Sequence, residues 1–106
     1  MKKLVNLLKN KNQTISCMES CTGGLIASEL TNIDGSSQIF KLGLVTYSNE
    51  YKIKMGVSNN VIDKYSVYSM ECADEMSLNI SMFSNSSLGV GITGKLNRVD
   101  INNLYG

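Results

Sequence analysis

The sequence predicts a single α/β domain, layered around a mainly parallel sheet. Two observations carry this. Short apolar runs rich in β-branched residues alternate with amphipathic stretches, in the order α-β-α-β-α-α-β. The chain has 106 residues, 42% hydrophobic and 18% charged, enough for one domain with one modest core and too apolar for a disordered segment.

The elements follow in order. Over residues 2–10, Leu4, Val5, Leu7 and Leu8 stand among Lys and Asn, the spacing of a short amphipathic helix. Asn10, Lys11 and Asn12 make a turn. Thr14 to Met18 then reads as a buried strand. Cys21-Thr22-Gly23-Gly24 is a tight turn, and Leu25, Ile26, Ala27 and Leu30 suit a helix packed on a sheet. Residues 32–37, Asn-Ile-Asp-Gly-Ser-Ser, form a turn cluster. Ile39 to Tyr47 reads as a second strand. Asn49 is placed to cap a helix over Glu50 to Met55 that Gly56 ends, and Ser58 to cap a further short turn through Ile62. Ser69 to Phe83 is the clearest helix, with Ala73, Met76, Ile80 and Phe83 expected on one face. Leu88 to Ile92 is a third strand, and Thr93-Gly94 follows. Proline is absent, so Gly, Asn, Asp and Ser supply every break.

Bulk properties exclude several functions. The formal net charge is +1, which favours neither nucleic acid nor a strongly basic partner. Nine of the ten basic residues are Lys and only Arg98 is Arg, a bias that AT-rich coding explains. The N-terminal apolar run is interrupted by Asn6 and stopped by Lys9, too short and too polar for a signal peptide. No stretch approaches the ~20 apolar residues of a membrane span. A soluble, cytoplasmic protein is expected. Three cysteines, Cys17, Cys21 and Cys72, are an odd number and suit neither a disulfide framework nor a four-ligand zinc site. No metal and no cofactor are expected.

The chain has no histidine. A Ser-His-Asp triad, a Cys-His dyad and a two-histidine metal helix are therefore excluded. Any hydrolysis must move its proton with Lys, Tyr, Asp or Glu. A Ser-Lys pair, with or without Tyr, is a known alternative, provided desolvation brings the lysine toward neutrality.

Ser20 lies between a strand and a helix whose first turn holds two glycines. Free N–H groups at a helix start can meet an anion or a developing oxyanion. The same spacing also describes an ordinary N-cap by Ser20 or Thr22. Tyr47 and Lys52 have plain readings too, as a strand-end aromatic and a solvated helix lysine.

The segment Glu19-Ser20-Cys21-Thr22-Gly23-Gly24 resembles the E-S-C-T-G-G signature of the CinA C-terminal domain family, which includes nicotinamide-nucleotide amidohydrolases. Four further stretches resemble the family in order and spacing. They are Asp34-Gly35-Ser36-Ser37 with Phe40; the block from Gly43 to Lys52, containing Thr46-Tyr47-Ser48-Asn49-Glu50; Gly56-Val57; and Gly91-Ile92-Thr93-Gly94. The resemblance implies a three-layer α/β/α sandwich and deamidation of nicotinamide mononucleotide to nicotinic acid mononucleotide and ammonia. It implies Ser20 as nucleophile, Lys52 and Tyr47 as acid–base partners, and Thr22, Gly23 and Gly24 as donors of amides near the oxyanion. Thr93, Gly94 and Arg98 would line the loop after the third strand, where ligands sit in open α/β sheets. There Arg98 either pairs with the substrate phosphate or is simply solvated. Glu19 either orients the site or pairs with a lysine. The family's name also suggests a link to DNA uptake, which the charge balance does not support.

The sequence departs from the family in three places. Lys95 to Asn103 replaces a Gly- and Pro-rich loop. Tyr68 stands where a helix-capping serine is usual, and Ser69 is expected to cap one residue later. The family's last strand and helix have no counterpart before Gly106. The sandwich is thus expected to be incomplete at its C-terminus, as in a truncated or split gene. Either turnover is retained, or the chain is an inactive nucleotide-binding or interaction domain. A second subunit is one way to cover the open sheet edge.

Overall fold

A computed structural model describes residues 1–96. Three parallel strands form a sheet in the order β2-β1-β3, with β1 (Ile15–Glu19) central, β2 (Phe40–Val45) on one side and β3 (Leu88–Ile92) on the other. Every residue of β1 is buried. Strand alternation splits its side chains between two cores. Ile15 joins Val5, Leu8, Leu30 and Ile39, a cluster built with α1 (Lys2–Asn10) and α2 (Leu25–Thr31). Met18 joins Val57, Cys72, Met76 and Ile80, a cluster built with α5 (Met70–Ser84) and the segment ahead of it. Helices thus cover both faces of the sheet, the α/β/α layering expected. A one-residue slip of β1 would move Ile15 and Met18 into the wrong layers.

The helices that position the site are started by side chains. Ser48 Oγ accepts from Tyr51 N (3.2 Å) and starts α3 (Asn49–Lys54). Ser58 Oγ accepts from Val61 N (3.2 Å) and starts α4 (Asn59–Tyr65). Ser69 Oγ accepts from Cys72 N (3.1 Å) and starts α5, the one-residue shift that Tyr68 demanded. The expected cap at Asn49 is corrected to Ser48: Asn49 is already the first helical residue. The α4 helix runs to Tyr65, three residues past the expected Ile62.

Two further expectations change. Strand β2 is shorter at both ends than Ile39–Tyr47. Ile39 closes a 3₁₀ turn over Ser36–Gln38, while the carbonyls of Thr46 and Tyr47 turn to Lys52. Phe83 is 68% exposed, not in the core. The buried residues of α5 are Cys72, Met76 and Ile80, and Phe83 stands past the last of them, in the final turn of the helix.

Layer spacing is set by glycine. A Cβ on Gly89 would overlap the Ser77 carbonyl oxygen, and one on Gly91 the Ala73 carbonyl oxygen, so the backbone of α5 lies directly on β3.

Candidate active site

The three strands are parallel, so their C-terminal ends share one edge, and the loops that leave it build a cavity of about 210 Å³. The loop after β1 brings Ser20 and Cys21 there. The segment after β2 brings Tyr47, Asn49 and Lys52. The loop after β3 brings Thr93, Gly94, Lys95 and Leu96, and the α4–α5 connection adds Val67 and Tyr68.

Lys52 is the centre of the arrangement. It is 1% exposed. It lies within the short α3, and helical side chains lean toward the N-terminus, here toward the end of β2. Its Nζ donates to the carbonyls of Thr46 (2.7 Å) and Tyr47 (3.0 Å) and lies 2.9 Å from Ser20 Oγ. Two of its three tetrahedral directions therefore end on fixed carbonyls, and the third ends on the serine. Burial lowers its pKa from the ordinary 10.5, and the nearby thiols of Cys72 and Cys21 oppose that only in part. A neutral amine in this place keeps both carbonyl bonds and turns its lone pair toward the Ser20 hydroxyl. Ser20 is 6% exposed yet lines the cavity, as a nucleophile needs.

Glu19 departs from one of its two expected roles. No lysine pairs with it among the described residues. Its fully buried carboxylate accepts from Thr22 Oγ1 (2.6 Å), Ile26 N (3.1 Å) and Ala27 N (3.0 Å), and from Cys17 Sγ at 3.5 Å. The end of β1 thereby caps α2, whose own N-cap is Gly24, a residue with no side chain to do so. Burial alone would raise the Glu19 pKa. The bonds from Thr22, Ala27, Ile26 and Cys17 outweigh it and hold the carboxyl below 4.5. Burial, then the Glu19 charge and hydrogen bond, push Cys17 up to about 12, so this thiol is inert.

Other expected residues divide. Thr22, Gly23 and Gly24 do not line the cavity. The Thr22 hydroxyl is taken by Glu19, and the Gly23 amide donates to the Ser20 carbonyl (3.1 Å). Tyr47 lines the cavity and is 75% exposed. Its carbonyl holds Lys52, but its hydroxyl bonds neither Ser20 nor Lys52 among the described residues. Thr93 and Gly94 line the cavity, and Thr93 Oγ1 is committed to the Val67 carbonyl (2.7 Å). Arg98 lies outside the described residues. Sequence reasoning missed Cys21, Asn49, Val67, Tyr68, Lys95 and Leu96 as lining groups. The signal was present for Cys21, which adjoins Ser20, for Lys95, which adjoins Gly94, and for Asn49, two residues past Tyr47. For Val67 and Tyr68 only tertiary packing reveals it.

Among the described residues no helix is long and apolar enough to cross a membrane, and no group of three metal-ligating side chains gathers.

Comparison with known proteins gives a consistent picture. The model of the CinA C-terminal domain family matches residues 1–96. A Clostridium kluyveri protein named as competence-damage inducible is 52% identical over 92 residues, 86% of this chain and 22% of the relative. The chain thus spans about a fifth of the length of that relative. A crystal structure of a competence-damaged protein (CinA) superfamily protein from Escherichia coli aligns at a TM-score of 0.79 with 28% identity, over 80% of this chain and 50% of that one. The structure of a competence/damage inducible protein from Agrobacterium tumefaciens aligns at 0.77 with 34% identity, over 79% and 52%.

Proposed function

The chain belongs to the CinA C-terminal domain family, and on that premise we propose that it is an amidohydrolase that deamidates nicotinamide mononucleotide to nicotinic acid mononucleotide and ammonia. The observation that carries this reading is the buried Lys52 Nζ, 2.9 Å from Ser20 Oγ at the cavity wall. Without histidine, a desolvated lysine held on two carbonyls is the base that the chemistry requires.

The steps follow from the geometry. Ser20 Oγ attacks the carboxamide carbon while its proton passes to Lys52 Nζ. A C–O bond forms and the carbonyl oxygen becomes an oxyanion. The Cys21 amide, next in the chain to the nucleophile and on a residue that lines the cavity, is the donor assigned to it in this scheme, in the manner of other serine hydrolase turns. Lys52 then returns the proton to the amide nitrogen, the C–N bond breaks and ammonia leaves. A water attacks the resulting ester, again losing its proton to Lys52, and the carboxylic acid and the Ser20 hydroxyl are released. Tyr47 faces the substrate in this scheme.

Ammonia release from nicotinamide mononucleotide by the purified chain is the test. Wild type should release it, and Ser20→Ala should reduce release to background. A folded wild-type preparation that releases none removes the proposal. A second reading, a nucleotide-binding or interaction domain without turnover, is favoured by the Tyr47 hydroxyl, which reaches neither member of the Ser20–Lys52 pair. Binding of the nucleotide without ammonia release would establish that reading instead.

A further inference from the structure

The cavity volume of about 210 Å³ is below the ~300–1,000 Å³ of pockets that enclose drug-sized ligands. That volume suits a single aromatic amide better than a whole nucleotide. The side chains that meet the ring then decide which amides are accepted.

Tyr68 is placed for that task. It lines the cavity and is 47% exposed. Its backbone is fixed on both sides. Tyr68 N donates to Ser66 Oγ (3.0 Å), Ser69 Oγ donates to the Ser66 carbonyl (2.7 Å) while capping α5, and the Val67 carbonyl accepts from Thr93 Oγ1 (2.7 Å). Val67 also packs against the core cluster around Met76. The ring is therefore presented from an anchored segment and costs little ordering on binding. That ring already serves as a seat for a cation, because Lys95 Nζ lies 4.9 Å from its centroid.

A pyridine ring quaternised at nitrogen is a flat, delocalised cation. It can replace that ammonium on the ring. We propose that Tyr68 is a specificity-determining residue whose ring face receives the substrate's cationic aromatic ring and selects ring-quaternised carboxamides over neutral ones. The inference rests on the amidohydrolase reading for the identity of that ring.

Equilibrium titration of the full chain with 1-methylnicotinamide and with uncharged nicotinamide tests it, since neither measurement needs turnover. Wild type should bind the cation about two- to thirtyfold more tightly. Tyr68→Phe should keep that preference, because the face and not the hydroxyl supplies it. Tyr68→Leu should bind both ligands alike. Tyr68→Ser, the residue type of the resembling sequences, should do the same and serves if the leucine variant does not fold. Absence of preference in wild type, its survival in the leucine or serine variant, or its loss in Tyr68→Phe would each overturn the proposal. A wild type that shows the preference yet releases no ammonia would remove the amidohydrolase reading and leave this one standing.

Discussion

At the scale of single residues, the decisive quantity for the proposed reaction is the charge state of Lys52. Its pKa is lowered from 10.5 by burial, and only the neutral amine can accept the Ser20 proton. The rate should therefore rise with pH along a limb whose midpoint lies below 10.5, and a pH profile of kcat/KM reads that midpoint. Lys52→Ala removes the proposed base and should lower kcat by about 10²–10⁴-fold, the usual contribution of a positioned acid–base group. Lys52→Arg should do no better, because a guanidinium does not deprotonate and its fork cannot reproduce the two carbonyl bonds. The linkage has a definite sign. Between the lowered folded pKa and 10.5 the native state binds fewer protons than the unfolded chain, so this residue makes stability rise with pH through that window. Little of this was legible from spacing. Ser20 and Lys52 are 32 positions apart, and either one alone has an ordinary reading as a cap or a solvated lysine. The absence of histidine narrowed the chemistry, and the resemblance supplied the pairing.

At the scale of elements, strand ends and helix starts share their polar groups. Glu19 sits at the end of β1 and caps α2 across the glycine turn. Glu19→Gln removes the charge and turns one acceptor into a donor that faces other donors. Hydrogen bonds to charged groups contribute about 1.5–3 kcal/mol each, and the variant should lose stability of that order by urea unfolding near pH 7. Because the folded pKa is depressed, the wild-type contribution is fully present above 4.5 and is lost as pH falls through the folded value. The difference between the two proteins should accordingly shrink in acid. A constant difference at all pH values would show that the charge is not what matters. The helices themselves were legible. Ser58 and Ser69 act as the caps that their positions suggested. The start of α3 differed by one residue, because Ser48 and Asn49 are both good caps and only the backbone conformation at Ser48, extended with ψ of 156°, selects between them. Phe83 misled the periodicity because α5 is apolar on more than its core face, with Leu78 and Met82 also exposed.

At the scale of the whole molecule, two cores are held apart by one sheet, and the site lies on the edge where all three strands end. Its geometry depends on how closely α5 lies on β3, since the connection that brings Val67 and Tyr68 to the cavity enters α5. Gly91→Ala tests that dependence. The added methyl would meet the Ala73 carbonyl oxygen and the Ser77 amide nitrogen, so the layers must part. Overpacking of this kind costs about 1–3 kcal/mol. The expected result is a lower unfolding midpoint together with weaker nucleotide binding, measured on the same preparation. Loss of stability with unchanged binding would show that the cavity does not sense the layer spacing.

Sequence by itself determined the element order, the parallel layered fold and the exclusion of histidine chemistry. These depend on local periodicity and on residue type, which the chain carries wherever it folds. Tertiary structure alone decided that Lys52 is buried against Ser20, that Glu19 caps α2 instead of meeting a lysine, that the Gly23 amide is already bonded, and that Tyr68 faces the cavity. Each of these is a contact between residues or groups brought together by the backbone path, and its strength depends on how much water the surrounding layers exclude. A lysine code letter does not reveal whether the amine is solvated or dry, and that difference separates a surface charge from a base.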